Sequence, residues 1–180
     1  VTVTAEDYTS RDAVALRDAD LVKVQDVTAP TWNVDACDNI GMETVNANAD
    51  CEAVMPDLRA DALAQLTENC DVLTVADIIQ VPAPGSPLAP PVGFDGCGPT
   101  GAVVYTVDVT FNVTDCNGNA AVELTCADLV KVQDVTPPSI SCPANRTIEC
   151  DESTLPANTG MASATDNCDP APDVTYSDVT

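Results

Sequence analysis

The sequence lacks histidine and has few aromatic or basic residues. Of its 180 residues, 3% are aromatic and 6 are lysine or arginine, against 29 aspartates and glutamates. The absence of histidine excludes most zinc sites, Ser-His and Cys-His catalysis, and the commonest general base. A formal net charge of −23 repels phosphate, so nucleic acid and anionic membrane surfaces are poor partners. No apolar run is long enough for a transmembrane helix, so membrane insertion is not expected.

Cysteine and acidic residues are abundant. Nine cysteines in 180 residues predict a disulfide framework and an oxidising compartment, hence an extracellular or cell-surface location. Crowded carboxylates repel one another and attract cations, and bound divalent cations or disulfides would offset that repulsion. The alternative is a solvated acidic surface that keeps a secreted protein soluble. The composition favours neither interpretation over the other.

An internal repeat organises the chain. The segment ADLVKVQDVT occurs at 19–28 and again, 108 residues later, at 127–136. The same offset aligns Leu16 with Leu124 and Pro30 with Pro138. A unit of this length is typical of a β-sandwich. We therefore expect three parts: the closing strands of one unit at 1–28, a complete unit at 29–136 and the first part of a third unit at 137–180.

The hydrophobic pattern predicts an all-β fold of tandem antiparallel β-sandwich repeats with one short helix. Apolar and polar residues alternate over 103–113, as in a half-buried strand. Strands are expected at 121–126 and 129–135 with a break or bulge near Asp128, and their counterparts at 1–8, 12–17 and 20–27. Apolar spacing predicts a helix within 56–66. The proline-rich stretch at 81–101 predicts an exposed, stiff loop rather than a domain linker, because Cys97 lies within it.

The repeat also suggests how the cysteines pair. Cys116 and Cys126 align with Tyr8 and Asp18, and their joint absence from the first copy favours a bond between them. Cys37 and Cys51 correspond to Cys142 and Cys150. The predicted pairs are Cys37–Cys51, Cys70–Cys97, Cys116–Cys126 and Cys142–Cys150. Cys168 then has no partner, so we expect it to be free or bonded to another molecule.

Acidic residues cluster in the expected turns and near the unit junctions. Oxygen-only ligand sets suit Ca²⁺, and a calcium ion at a junction would stiffen an array of units. Asp and Asn also favour turns without any metal, which is the alternative explanation. The candidate calcium ligands are Asp26, Glu68, Asp71, Asp115, Asp134, Asp166, Asp169 and Asp178.

Several motifs resemble hyalin repeats. They are Asp134-Val135-Thr136-Pro137-Pro138, Ser141-Cys142-Pro143, Cys150-Asp151, Ala164-Thr165-Asp166-Asn167-Cys168-Asp169 and the turn Thr114-Asp115-Cys116-Asn117-Gly118-Asn119. The resemblance covers essentially the whole chain and is strongest at 114–136 and 134–178. It implies immunoglobulin-like domains arranged in tandem in large secreted or surface proteins. It further implies adhesive, matrix or filament roles and no catalysis.

The leading hypothesis is a structural repeat of a surface fibre or adhesin. The part at 137–180 lacks closing strands, which 1–28 of another copy could supply by strand addition. The two pieces together are shorter than one unit, and the missing stretch would match its loop-rich middle. The expected partners are copies of the chain or adjacent repeats. The alternative is a module that binds a glycan or a protein through 82–91, where Phe94 is the nearest aromatic residue.

An enzyme is not expected. Carboxylate pairs can perform glycosidase chemistry, but here the acidic residues lie in predicted turns of a repeat, where a shaped cleft is not expected. The sequence contains neither a serine nucleophile elbow nor a glycine-rich phosphate loop.

Overall fold

The chain folds mainly into short β-strands. The computed structural model describes residues 2–3, 16–17, 24–92, 94 and 102–177, and for 2–3 and 16–17 the backbone alone. The strands are β1 (Thr2–Val3), β2 (Leu16–Arg17), β3 (Thr31–Trp32), β4 (Glu43–Asn46), β5 (Ala53–Val54), β6 (Leu66–Thr67), β7 (Ile78–Val81), β8 (Pro87–Leu88), β9 (Val103–Val113), β10 (Leu124–Gln133), β11 (Ser139–Ser141) and β12 (Ser163–Thr165). The helices are α1 (Ala36–Ile40), α2 (Arg59–Leu63) and α3 (Pro156–Thr159), with a 3-10 turn at Val75–Asp77.

The largest sheet has four strands in the order β4-β10-β9-β7. β9 is antiparallel to β7 and β10, whereas β4 runs parallel to β10. Along β9, Tyr105, Val109 and Phe111 are buried, while Thr106 and Asp108 are exposed. The predicted half-buried strand at 103–113 is therefore confirmed, because the apolar side chains at every second position from Tyr105 to Val113 are buried or half-buried.

β10 is one strand interrupted by a bulge. Its pairing with β9 shifts register between Cys126 and Val130, and Asp128 has a φ of 53°. The Asp128 N–H donates to Asp108 Oδ1 at 2.9 Å, which gives the bulged residue a partner outside the ladder. The break or bulge expected near Asp128 is confirmed as a bulge, although the two predicted strands are joined into one.

The helix and the proline-rich loop were predicted with different success. α2 lies within the predicted range 56–66, and its Ala62 is fully buried. The stretch 81–101 is not simply an exposed loop, because β8 within it pairs with β5 and Leu88 is 4% exposed. The Tyr105 hydroxyl donates to the Leu88 carbonyl at 2.8 Å, which fixes this segment against β9. Burial of the apolar Leu88 therefore keeps this segment packed on the core despite the prolines around it.

Two ladders recur at the sequence offset. In β1–β2, Thr2 pairs with Arg17 and Val3 with Leu16. In β9–β10, the residues 108 positions later have the same register. The pairing of β3 with β6 likewise recurs in β11 with β12, where Ile140 takes the place of Trp32. Segments on either side of the unit at 29–136 therefore form the same local pairings as that unit.

In the described part of the chain, the core is formed almost entirely by residues within 29–136, and Cys168 also contributes to it. The largest fully buried side chains of the core are Phe111, Met55, Val109, Val130 and Val132, and the cystine sulfurs pack with them. Few aromatic rings contribute, as the composition requires. Among the described residues, no helix has the length and apolar character needed to cross a membrane.

Candidate functional site

Three carboxylates from distant parts of the chain converge at one point. Asp26 precedes the unit junction, Glu68 follows β6, and Asp115 follows β9. One oxygen of each lies within 4.8 Å of those of the other two. Asp26 and Asp115 are buried and Glu68 is half-buried. We call this group the carboxylate triad.

Backbone hydrogen bonds hold one oxygen of each triad member. Asp26 Oδ1 accepts from the Thr28 N–H at 3.0 Å, and Glu68 Oε1 accepts from the Asn69 and Cys70 N–H groups at 2.6 and 3.1 Å. The second oxygens, Asp26 Oδ2 and Glu68 Oε2, are buried without a hydrogen-bond partner. Unpaired buried anionic oxygens are costly, and a hard cation would satisfy them.

Asp115 is the most extensively hydrogen-bonded member of the triad. Its Oδ1 accepts from the N–H groups of Asn117 and Asn119 at 2.9 and 2.8 Å, and its Oδ2 accepts from Asn119 Nδ2 at 2.7 Å. Burial raises the pKa of the Asp115 carboxyl, but these hydrogen bonds outweigh it, and the pKa lies below its usual value. The carboxyl is therefore ionised at neutral pH. Asn119 was missed as a site residue, although its place in the Asn-Gly-Asn turn beside Asp115 could have suggested it.

The next junction repeats part of this arrangement. Asp134, the counterpart of Asp26, accepts from the Thr136 N–H at 2.9 Å. Asp166, the counterpart of Glu68, accepts from the N–H groups of Cys168 and Asp169 through Oδ1, while its Oδ2 is buried without a partner. A similar local arrangement thus occurs twice, although Glu68 accepts from the next two residues and Asp166 from the second and third residues after it. Among the described residues only the first instance has three carboxylates together.

The remaining predicted ligands have other contacts. Asp71 is close to the triad, but its Oδ2 accepts from the Cys116 N–H at 3.1 Å. Asp169 accepts from the Ala171 N–H at 2.9 Å. Asp178 lies outside the described residues. The structure therefore brings together Asp26, Glu68 and Asp115 from the eight candidates.

Among the described residues two disulfides are present, and they differ from the predicted pairs. Cys37 is bonded to Cys126 and Cys51 to Cys168, with Cα–Cα distances of 5.4 and 4.8 Å. Both connect segments far apart in sequence, whereas the prediction favoured short loops. They indicate an oxidising environment. The predicted pairs Cys37–Cys51, Cys116–Cys126 and Cys142–Cys150 are wrong.

The geometry of β9 and β10 explains one of these errors. Cys126 lies opposite Val109, and Cys116 lies beyond the far end of β9. Roughly 14 Å of strand separate Val109 from Val113. Cys126 is 1% exposed and faces the core, where helix α1 presents Cys37. Cys116 is instead in the exposed turn, so a hairpin bond between the two cysteines is geometrically excluded.

Cys168 was predicted to be free or bonded to another molecule, but it is bonded to Cys51 of the same chain. The turn at Asp166–Asp169 lies against the loop at Asn48–Glu52, where Asn167 Nδ2 donates to the Asn48 carbonyl at 2.8 Å. This contact places Cys168 beside Cys51 and joins the complete unit to the following segment. Free, exposed thiols remain at Cys70, Cys116, Cys142 and Cys150. The predicted partner of Cys70, Cys97, lies outside the described residues.

Carboxylates surround two of the free thiols. Burial raises the pKa of the Cys70 thiol, and Asp26, Glu68, Asp71 and Asp115 raise it further. A hydrogen bond to Asp71, followed by burial and the charges of Asp71, Asp115 and Asp26, raises the pKa of Cys116 to about 11. Both cysteines therefore lie in the electrostatic field of the carboxylate triad, and both stay protonated at neutral pH.

Apolar faces are exposed on both sides of the complete unit. Val24 is 87% exposed, whereas its counterpart Val132 in β10 is fully buried. Ile140 is 62% exposed. Its counterpart Trp32 packs on Phe111 with ring centroids 6.3 Å apart, and its indole N–H donates to the Val122 carbonyl at 2.7 Å. Each flanking segment thus exposes residues that the complete unit covers.

The proposed binding loop offers little aromatic surface. Phe94 packs edge-on against Tyr105 with ring centroids 5.9 Å apart, so its ring is engaged within the protein. Residues 93 and 95–101 beside it lie outside the described part of the chain. Within 82–91, Leu88 is turned into the core. These contacts give no support to glycan stacking at this loop.

Searches of protein-family models, curated proteins and solved structures found no match to this chain. The hyalin-repeat resemblance therefore stays a prediction, and its functional implications have to be argued from the residues themselves.

Proposed function

We propose that this chain is a non-enzymatic structural protein of the cell exterior, a filament segment built from immunoglobulin-like repeats of the hyalin type. In this proposal, residues 1–28 of one copy supply closing strands to residues 137–180 of the next. The observation that carries the proposal is that Val24 and Ile140 are exposed, whereas their counterparts in the complete unit, Val132 and Trp32, pack within it.

The closing strands provide the first half of this observation. In the complete unit, β10 places Val132 in the core with no exposed surface. The same decapeptide at 19–28 leaves Val24 87% exposed. Burying a side chain of this size contributes about 1.5–3 kcal/mol. A segment that leaves such a residue in water gains stability by docking on a matching apolar face.

The segment at 137–177 supplies the matching face. Ile140 lies in β11, whose three residues are all exposed, and Met161 and Tyr176 are 73% and 63% exposed. Trp32, the counterpart of Ile140, packs on Phe111 of β9. Its indole N–H donates a hydrogen bond to the carbonyl of Val122, which precedes β10. The tail at 1–28 carries the counterparts of both covering segments, which supports it as the occupant of this face.

The unit that residues 137–180 of one copy would form with residues 1–28 of the next is incomplete. The two segments lack counterparts of β8 and of the first half of β9, which include the buried Leu88 and Tyr105. The joint therefore depends on the ladder that corresponds to the second half of β9 and to β10. Because donor and acceptor are different surfaces, each added copy leaves one of each exposed, which gives an open filament rather than a closed ring.

Calcium at the carboxylate triad completes the proposal. Asp26 belongs to the preceding segment, whereas Glu68 and Asp115 belong to the complete unit. A cation that binds all three would hold the two segments at a fixed angle. The buried unpaired oxygens Asp26 Oδ2 and Glu68 Oε2 support these residues as ligands.

The assembly is tested with the 180-residue chain by light scattering and negative-stain microscopy. We expect elongated, concentration-dependent assemblies from the wild type, and loss of assembly from Ile140→Ser and from Val24→Ser. Val72→Ser is the matched control, because Val72 is 93% exposed within the complete unit. Wild-type chains that stay monomeric at every concentration, or assemblies that persist in both test variants, would contradict the proposal.

A further inference from the structure

The Cys51–Cys168 bond joins two cysteines of different repeat positions. Cys168 corresponds to Cys70, since both follow an acidic residue whose carboxylate accepts two backbone N–H groups of its own turn. Cys51 corresponds to Cys150, and acidic residues flank both cysteines. The bond therefore connects the Cys51-type position of one unit with the Cys70-type position of the next.

The chain retains one unbonded cysteine of each type. Cys150 is of the Cys51 type and Cys70 is of the Cys70 type, and both are exposed with free thiols. A second copy can supply to each of them the partner that the chain itself does not. The two positions are thus complementary between copies in the same sense as Cys51 and Cys168 within one chain.

We propose that Cys150 of one copy forms a disulfide with Cys70 of a second copy, so that assembled chains are covalently linked head to tail. The inference rests on the proposed end-to-end assembly. There, 137–180 of the first copy and 1–28 of the second form one unit, and the complete unit of the second copy follows it. Cys150 and Cys70 then occupy consecutive units, as Cys51 and Cys168 do.

The turn that carries Cys70 fits the role of the inserted partner. Within the chain, the equivalent turn at Asp166–Asp169 meets the Asn48–Glu52 loop through the Asn167–Asn48 hydrogen bond of 2.8 Å. Asn69 and Asn167 precede the two cysteines, so the Cys70 turn offers the same amide donor. Acidic residues also flank Cys51 and Cys168, which are bonded within the chain. The negative charge near Cys70 and Cys150 therefore does not distinguish the proposed bond from the observed one.

The bond forms by thiol–disulfide exchange with a small-molecule disulfide such as oxidised glutathione. Cys70 and Cys150 each lose one electron and one proton as their sulfur atoms join. The glutathione disulfide is cleaved, and its two sulfurs take up the two electrons and the two protons to give two glutathione thiols.

Complementary variants test the inference directly. The whole chain is incubated in a glutathione redox buffer, alkylated, and examined on non-reducing gels and by peptide mapping. We expect a ladder of multimers containing a Cys70–Cys150 peptide. Cys70→Ser and Cys150→Ser should each remain monomeric on the gel, whereas their mixture should stop at a dimer, since it can form only one link. Cys142→Ser, which removes another exposed thiol, should leave the ladder intact.

Several outcomes would overturn the inference. They are a mixture that gives no dimer, a ladder that persists in either single variant, and peptide maps that place Cys70 on Cys51, Cys97 or Cys116 of the same chain. Microscopy and peptide mapping of the oxidised wild-type chain separate this inference from the proposed function. Filaments without the Cys70–Cys150 peptide would retain the assembly and reject the bond. The mixed dimer without elongated assemblies would retain the bond and reject the filament.

Discussion

Replacing Glu68 with glutamine should have opposite effects on stability with and without calcium. Glutamine keeps the Oε1 acceptor that receives the Asn69 and Cys70 N–H groups, and it removes one of the three converging negative charges. At 4.8 Å, two like charges repel by about 1 kcal/mol in water and about 3.5 kcal/mol at the effective dielectric of a protein surface. In EDTA, Glu68→Gln should therefore raise the free energy of unfolding by about 1–3 kcal/mol.

In calcium, the wild type should instead be more stable than Glu68→Gln. A ligand at 100 times its dissociation constant stabilises the folded state by about 2.7 kcal/mol. The wild type should gain this amount, and Glu68→Gln should lose most of it together with one anionic ligand. For a chain of this size, each kcal/mol shifts the melting temperature by about 2–4 °C. The melting temperatures of the two proteins should thus exchange order between EDTA and calcium.

The assay is thermal unfolding by circular dichroism in EDTA, in calcium chloride and in magnesium chloride at equal ionic strength. Glu43→Gln is the control, because it removes the same charge from an exposed position on β4. Its calcium-dependent shift should equal that of the wild type. An equal calcium shift in the wild type and in Glu68→Gln, or a loss of stability of Glu68→Gln in EDTA, would refute the proposed role of the triad.

Three further predictions concern the thiols, the core disulfide and an ion pair. Asp71→Asn should speed alkylation of Cys116 about tenfold or more at pH 8, measured by mass spectrometry against Cys142, because the Asp71 hydrogen bond is the largest cause of its raised pKa of about 11. Replacing Cys37 and Cys126 together with alanine should lower the free energy of unfolding in urea by about 4 kcal/mol, since they lie 89 residues apart, whereas Cys142→Ser should change it little. Arg59→Ala should return the pKa of Asp57 from about 2 to its ordinary range in an NMR titration. Because that pKa is lowered in the folded state, the ion pair's small contribution is present above pH 4 and lost as the pH falls towards 2, a loss absent from Arg59→Ala.

The strands were the most predictable part of the fold. In β9, alternating Val, Tyr and Phe against Thr and Asp determine which face is buried, and a period of two has no other explanation. A break or bulge at Asp128 could be predicted because a polar residue interrupts the next apolar run. The helices α1 and α3 were not predicted, since four or five residues carry too little periodicity to distinguish a helix from a turn.

The sequence predicted which acidic residues could belong to the site, but not which of them come together. Asp26, Glu68 and Asp115 were among eight candidates because the repeat placed acidic residues at junctions and turns. Their convergence depends on how the Glu68 turn packs beside the end of β9, which sequence spacing does not encode. The cysteines illustrate the same limit: Cys37 reaches Cys126 only because helix α1 packs against β10.

Charge and assembly are thermodynamically coupled in the proposed filament. With a net charge of −23, each copy repels the next, and the segments that must meet carry buried carboxylate oxygens without partners at Asp26 and Asp166. Asp166 already has a local arrangement similar to that of Glu68, and in the complete unit a third carboxylate comes from the turn after β9. A following copy would bring the corresponding turn to Asp166. Calcium that binds the joined state more tightly must favour joining by the same factor by which joining raises calcium affinity. The calcium concentration at half-assembly should therefore fall as protein concentration rises, and a fixed value would separate cation binding from the joint.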